Sequence, residues 1–387
     1  MTEQGNAIGT VDIAIVGAGP VGMTLALALA GGPYRVLLID SRGRGAWAND
    51  PRALALAHGT RQILERLGAW NAGAGTSIET IHVSQRGGFG RTLINARDYA
   101  LPALGYVMRY RDLAATLDAR IEPGQLLSHC TVAEITAGDE FAEITLTGDG
   151  ATQHVAARLV VHAEGTPAND PDVRVHDYRQ HAVVAEVCPA GGHAHRAWER
   201  FTPDGPLALL PLGQAYSLVF TARPDRAAAL LELPDDDFLA ALRAQFGSRL
   251  DFIGSGPRSR FPLALRIRQH LTGRRQVWIG NAAQSLHPVS GQGFNLGLRD
   301  AWELAEALLA QAGGDAGEAS TLGAYARKRR IDRSGSIAFT DGIVRVFTND
   351  LAPLRIARSA GLLALELVPP LRHFIAKRMI WGARAWP

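Results

Sequence analysis

Apolar positions along the chain follow two rhythms, short continuous runs and helix-spaced stretches, and their alternation predicts an α/β protein. Asp12-Ile13-Ala14-Ile15-Val16 is an apolar run bounded by glycine, which predicts a buried strand. Met23–Ala30 consists mostly of strong helix formers, and Tyr34–Ile39 predicts the next strand. Strand character returns between Ile78 and Ile94 and again between His176 and Ile267, where Ala182–Val187 and Tyr216–Phe220 are its clearest runs. Asp235–Phe246 predicts a helix capped by Asp235. Trp278-Ile279 then predicts a short strand, followed by a turn at Gly280-Asn281 and an apolar helix from about Gly293.

The first strand runs into Gly17-Ala18-Gly19-Pro20-Val21-Gly22, with a helix after it and Asp40 at the end of the second strand. In that βαβ frame the motif is a dinucleotide-binding turn. Gly17 makes the turn, Gly19 admits a pyrophosphate, Gly22 lets helix and strand pack closely, Asp40 reaches a ribose hydroxyl, and Pro20 belongs to the same cofactor-binding loop. The motif does not distinguish FAD from NAD. Gly291 and Gly293 give a second place where backbone can pass close to a ligand, just ahead of a helix N-terminus suited to an anion or an electron-rich ring edge.

Composition narrows the classes. Hydrophobic content of 47% and charged content of 20% are ordinary for globular proteins and do not point to a disordered chain, and 387 residues allow two or more packed units. Cys130 and Cys188 lack metal spacing and predict buried, inert thiols in a reducing compartment. His193-Ala194-His195, without carboxylate or cysteine partners, does not predict a metal. No secretory signal precedes Val11, and no apolar run reaches the length of a membrane span. The basic run Arg327–Arg333 predicts a solvated helix face, and no recognition motif accompanies it, so nucleic acid is not an expected partner. From Leu354 to Trp386 basic and apolar residues mix, which suits either an anionic membrane surface or packing on the protein's own core or a second subunit.

Taken together, the two glycine loops resemble those of the FAD-dependent aromatic hydroxylases of the para-hydroxybenzoate hydroxylase type. Within that group the chain is similar to the ubiquinone-biosynthesis hydroxylases, most of all to the 2-polyprenyl-6-methoxyphenol hydroxylase branch. The resemblance covers nearly the whole length and is carried by Arg52–Leu56, Glu199–Leu212 and Gly280–Asp300. It implies a Rossmann-like FAD-binding domain (residues 1–75, 104–175 and 276–340) interleaved with a β-sheet substrate domain (76–103 and 176–275), plus a C-terminal helical segment (341–387). It implies a monooxygenase in which FAD, reduced by NADPH, takes up O2 and hydroxylates a polyprenylated phenol through a C4a-hydroperoxyflavin. Such an enzyme would be cytoplasmic, peripheral at the inner face of the membrane, with a quinone-making complex or a homo-oligomer left open.

The resemblance also implies site residues. Arg52 and Arg111 match arginines near the cofactor, each with an ordinary surface role as its alternative. Gly280, Asn281, His287, Pro288, Gly291, Gln292, Gly293 and Asn295 would border the flavin, His287-Pro288 shaping the loop rather than serving as a base. Leu207, Leu209, Leu210, Leu212, Phe220 and Phe261 would wall the substrate pocket, although alternation along strands gives about half of them to the sheet's own core. No residue that deprotonates the phenol stands out. One departure is Ala163-Glu164-Gly165, where relatives carry Ala-Asp-Gly with a serine and an arginine downstream. It bears on how a reductant docks more than on flavin binding. A soluble phenol hydroxylase, a prenyl reductase and a non-catalytic subunit of a quinone-making complex are the competing readings.

Overall fold

A computed structural model describes residues 6–148, 150–166, 170–311, 313–347 and 352–382. Its nine α-helices are α1 (Pro20–Leu29), α2 (His58–Arg66), α3 (Tyr110–Asp118), α4 (Pro224–Glu232), α5 (Asp235–Phe246), α6 (Gln292–Leu309), α7 (Ala319–Phe347), α8 (Ala352–Leu367) and α9 (Pro369–Trp381) among the described residues. Two large sheets and one small one lie between them.

In the first sheet the strand Asn6–Val16 is central, flanked in parallel by Ala151–His162 and Val36–Ile39. Gln276–Trp278 extends it in parallel beyond Ala151–His162. The register brings Val16 beside Ile39 and His162, and His162 beside Trp278, so four parallel strands end on one line. Ligands of open parallel sheets bind outside such carboxyl ends. Both faces of this sheet are covered, which explains why the paired carboxyl-terminal stretches of its strands, Ile13–Val16, Leu37–Ile39 and Leu159–Val161, are continuously apolar rather than alternating. One core joins Ile13, Ile15, Met23, Leu159, Val161 and Leu304, and the other joins Val11, Ala14, Val160 and the hairpin around Ile144.

The second sheet runs in the order Gln284–Ser285, Ser259–Arg268, Val173–Pro189, Ala215–Ala222, Gly205–Leu212, Arg196–Thr202, Thr80–Gln85 and Arg91–Asn95. One face packs on α4 and α5 through Phe220, Leu207, Leu209, Phe238 and Leu242. In α5 Pro234 holds the cap position, and Asp235 is the first of three aspartates in the opening turn, not the cap itself. There the carboxylates complement the helix dipole instead of bonding the terminal amides.

Two further expectations change. The run Arg327–Arg333 is solvated only in part, because Arg327 and Arg330 are exposed but Arg329 is fully buried and Arg333 half-buried. Arg329 ion-pairs with Asp300, Glu303 and Asp332, acids supplied by α6 and α7 that repetition of charge in a sequence cannot reveal. The thiols are not buried, since Cys188 is exposed and Cys130 half-buried at the rim of a cleft. Arg384 and Trp386 of the basic, apolar tail lie outside the described residues. No described helix is long and apolar enough to cross a membrane.

Candidate active site

The loops that follow the four aligned strand ends enclose a cleft of about 930 Å³, roofed by the second sheet. That volume lies near the top of the roughly 300–1,000 Å³ range of small-molecule sites. Backbone bonds knit the floor together: Gly17 N donates to Ile39 O at 2.7 Å, Ala163 N to Val16 O at 2.7 Å and Ile279 N to His162 O at 3.0 Å.

Each glycine of the first loop meets a different constraint. Gly17 has φ +104° and its missing Cβ would lie 2.5 Å from the Ala163 carbonyl oxygen. At Gly22 a Cβ would run into the Gly17 carbonyl, so this residue is what lets α1 sit against the turn. At Gly19 a Cβ would meet only the Tyr110 hydroxyl, 3.5 Å away, and a longer side chain would project into the cleft. Gly19 is the N-cap of α1 and Pro20 its first residue, so the unpaired amides of the first turn are left for an anion.

Asp40 ends the second strand at the cleft wall. Its Oδ2 accepts the Ala18 amide at 2.8 Å, and its Oδ1 accepts the Arg42 amide at 2.8 Å and Arg42 Nε at 3.1 Å. Burial alone would raise this carboxyl, but the hydrogen bonds from Arg42 and Ala18 outweigh it and hold the pKa below the ordinary value. Arg42, which the sequence reading missed, thus brings a fixed positive charge to the pocket. Arg52 forks onto Asp50 and lies 4.9 Å from the centre of the Tyr110 ring, both Arg52 and Tyr110 lining the cleft. Arg111 does not join them. It is exposed and 3.7 Å from Asp112, because α3 begins at Tyr110 and the step of about 100° per residue turns the next side chain to solvent.

The late loop meets the first one directly. A Cβ on Gly280 (φ +60°) would lie 3.2 Å from Val21, in the first turn of α1. Gly280 N donates to Asp300 Oδ2 at 3.1 Å, Gln284 Nε2 donates to the same oxygen at 2.7 Å, and Arg329 Nε holds Asp300 Oδ1 at 2.8 Å. Asp300 is therefore the anchor of the loop, and in the sequence only its place at the end of the Gly280–Asp300 stretch hints at it. Asn281, Pro288, Gly291 and Gly293 line the cleft. His287 lines it too, with Nδ1 accepting the Val289 amide at 3.1 Å, and burial lowers its pKa to about 4. It caps the turn as a neutral ring. Gln292 and Asn295 face away from the cleft. Gln292 donates to the Met379 carbonyl at 3.2 Å, and the amide of Asn295 is used up by Ala57 N, Thr60 Oγ1, Ala55 O and Gly291 O. On the helix they bind, these residues point at α2 and α9 and hold the loop from behind.

The roof shows strand alternation. Ala182, Val184, Leu210, Ser217, Val219, Phe261 and Leu263 face the cleft. Leu207, Leu209 and Phe220, expected as pocket wall, point the other way into the α4–α5 core, and Leu212 packs with Ile78, Val107 and Ala197. At the far edge Glu164 and Gly165 line the cleft, and Glu164 Oε1 lies 3.1 Å from His162 Nδ1. His162 Nε2 in turn meets Gln276 Oε1 at 2.9 Å, and the imidazole stacks on Trp278 at 4.7 Å. The extra methylene of Glu164 is spent on this neighbour. His193 and His195 are committed to Gly213 O at 2.7 Å and Ser77 Oγ at 2.8 Å.

Close backbone approach at Gly19, a helix N-terminus beside it, an adjoining arginine and an apolar roof are together what a dinucleotide with a large planar ring requires, and the residues present fit FAD. Known proteins agree. Residues 10–334 match the FAD binding domain family. The ubiquinone hydroxylase UbiL of Rhodospirillum rubrum is 35% identical over 99% of this chain and 92% of its own length. The 3-demethoxyubiquinol 3-hydroxylase of Escherichia coli is 30% identical over 94% and 96%. Among solved structures, p-nitrophenol 4-monooxygenase PnpA of Pseudomonas putida superposes with a TM-score of 0.77 at 16% identity, covering 97% of this chain and 99% of that one. With its paired glycine loops closing one cleft and its sequence aligned end to end with these relatives, the chain belongs to the FAD-binding-domain family of flavoprotein monooxygenases, among the ubiquinone hydroxylases.

Proposed function

We propose that the protein hydroxylates the ring of a polyprenylated phenol in ubiquinone biosynthesis, with FAD held in the cleft, O2 as oxygen source and NADPH as reductant. The names of its relatives support the substrate class, and the observation that carries the reading is the single cleft shared by both glycine loops and the apolar roof. Bound FAD, once reduced, supplies the activation of O2, one oxygen atom going to the ring and the other leaving as water.

The chain's own part is to bind, orient and keep dry. The first-turn amides of α1 and the guanidinium of Arg42 hold the pyrophosphate, and Asp40, already fixed by Ala18 and Arg42, meets the ribose. Gly280-Asn281 and Gly291–Gly293 border the ring system, where the Asn281 amide donates or accepts without adding charge. Val184, Leu210, Val219 and Phe261 exclude water from the ring face, which protects the reactive oxygen species from wasteful release.

Expression in strains that lack one quinone-ring hydroxylase each, with lipid extracts read for the ring position left without oxygen, tests this function. Rescue of one such strain is expected. Purified yellow protein that consumes NADPH only with prenylated phenols fits the reading, whereas consumption with simple phenols alone points to a soluble phenol hydroxylase. Colourless protein that binds no FAD overturns both.

A further inference from the structure

The helices α8 and α9 present an apolar and basic face that the function described so far does not use. On α8, Ile356, Leu363 and Leu367 recur at one-face helical spacing, and all three are exposed, Ile356 at 61% and Leu367 at 69%. On α9, Leu371 and Phe374 continue the patch, Phe374 at 55% exposure, and the Arg378 guanidinium lies 3.5 Å from the Phe374 ring centre. The opposite faces are committed to the protein. Thr92 Oγ1 donates to the Leu362 carbonyl, Leu93 N donates to Glu366, and Ala376 and Ile380 are buried in the cluster around Ile94 and Leu104. The apolar face is therefore not a mispacked core. Five large apolar side chains exposed on two consecutive helices mark a surface suited to being covered.

Charge says by what. Residues 352–382 carry five cationic side chains against one acid, Glu366, a net charge of +4 where the whole chain nets +3. Arg355, Lys377 and Arg378 are exposed beside the apolar stripe. Apolar side chains flanked by cations, on helices too short and too polar to span a bilayer, are the pattern of an interfacial helix on anionic lipid.

We infer that the outer face of α8 and α9 is a docking surface for an anionic lipid bilayer, with Ile356, Leu363, Leu367, Leu371 and Phe374 in the acyl boundary and the cations among the headgroups. This rests on the proposed prenylated substrate only for its purpose. The inner face of α9 supplies Ala376, Met379 and Ile380 to an apolar cavity of about 80 Å³ whose lining residues Ala55 and Gly291 also line the main cleft. One helix thus separates the docked bilayer from the chamber beside the flavin loops, which suits a substrate whose tail resides in lipid.

The test is co-sedimentation of the full-length, FAD-loaded protein with vesicles of phosphatidylcholine alone or with one-third phosphatidylglycerol, at low and high salt. Partition onto the anionic vesicles should exceed that onto neutral ones at least tenfold and fall with salt. The pair Leu367→Ser and Phe374→Ser should lose about tenfold per side chain, and Lys377→Gln with Arg378→Gln roughly fivefold per cation. All these positions are exposed, so FAD content and melting should stay unchanged. Partition equal for wild type and variants, or none onto anionic vesicles, overturns the inference. So does a dimer in analytical ultracentrifugation that the serine pair splits without any vesicle binding, since a second copy would then be the occupant. Vesicle partition is read without turnover, so a failure of the hydroxylase reading leaves this result standing, and the reverse also holds.

Discussion

At the residue scale, three glycines of one motif answer to different forces and separate experimentally. Gly19→Val should leave a folded protein, because the Cβ meets only ordinary van der Waals contact, yet its side chain enters the cleft and FAD should be lost on purification. Gly22→Ala should instead cost about 1–3 kcal/mol of stability, since the methyl group meets fixed backbone at Gly17. Absorbance at 450 nm together with denaturant melts distinguishes the two outcomes, and normal flavin content in Gly19→Val would refute the cleft assignment. His287 makes a pH prediction. Burial lowers its pKa to about 4 from an ordinary 6.5, so between those values the unfolded chain binds the extra proton and the fold is weakened as pH falls. The loss should reach roughly 2 kcal/mol at pH 5. His287→Asn, which can still cap the turn, should flatten part of the stability slope between pH 7 and 5 in urea melts. His82, also lowered to about 4 by burial and by nearby arginines, and His58, lowered mainly by burial, keep a slope of the same sign.

At the scale of elements, α6 and α7 are joined by a buried charge cluster beneath the late loop. Arg329 sits between Asp300, Glu303 and Asp332, and Asp300 passes its hold on to Gly280. Arg329→Ala should cost about 3–5 kcal/mol, because it strands buried carboxylates, and should also weaken FAD binding through the freed Gly280 turn. Calorimetry and flavin titration read the two effects, and unchanged flavin affinity in a folded variant would break the link between Asp300 and the site. The same elements show what patterning could not supply. A run of arginines looks solvated until another helix brings acids to it. Leu207, Leu209 and Leu210 look alike in the sequence, yet the period of two sends only Leu210 to the cleft.

At the scale of the whole molecule, the cleft joins two sheets, so a ligand filling it must couple them. Added FAD should raise the apparent melting temperature by a few degrees, and Gly19→Val should abolish that shift. No shift in the wild-type apoprotein would argue that the two loops do not grip one molecule. The joining also explains why the site was only partly legible beforehand. Its floor comes from residues near 17, 40, 164 and 280, while its roof comes from strands between 182 and 263.

Local pattern by itself determined the βαβ turn, the acid at the end of the second strand, the late glycine loop and the α/β class, because each depends on backbone needs that neighbouring residues express. Tertiary structure alone decided that Tyr110 and Arg42 face the cleft while Arg111 does not, that Asn295 and Gln292 brace the loop from behind, and that Arg329 is buried. Those outcomes depend on which strand face or helix side meets another element, a choice made by packing between segments far apart in the chain.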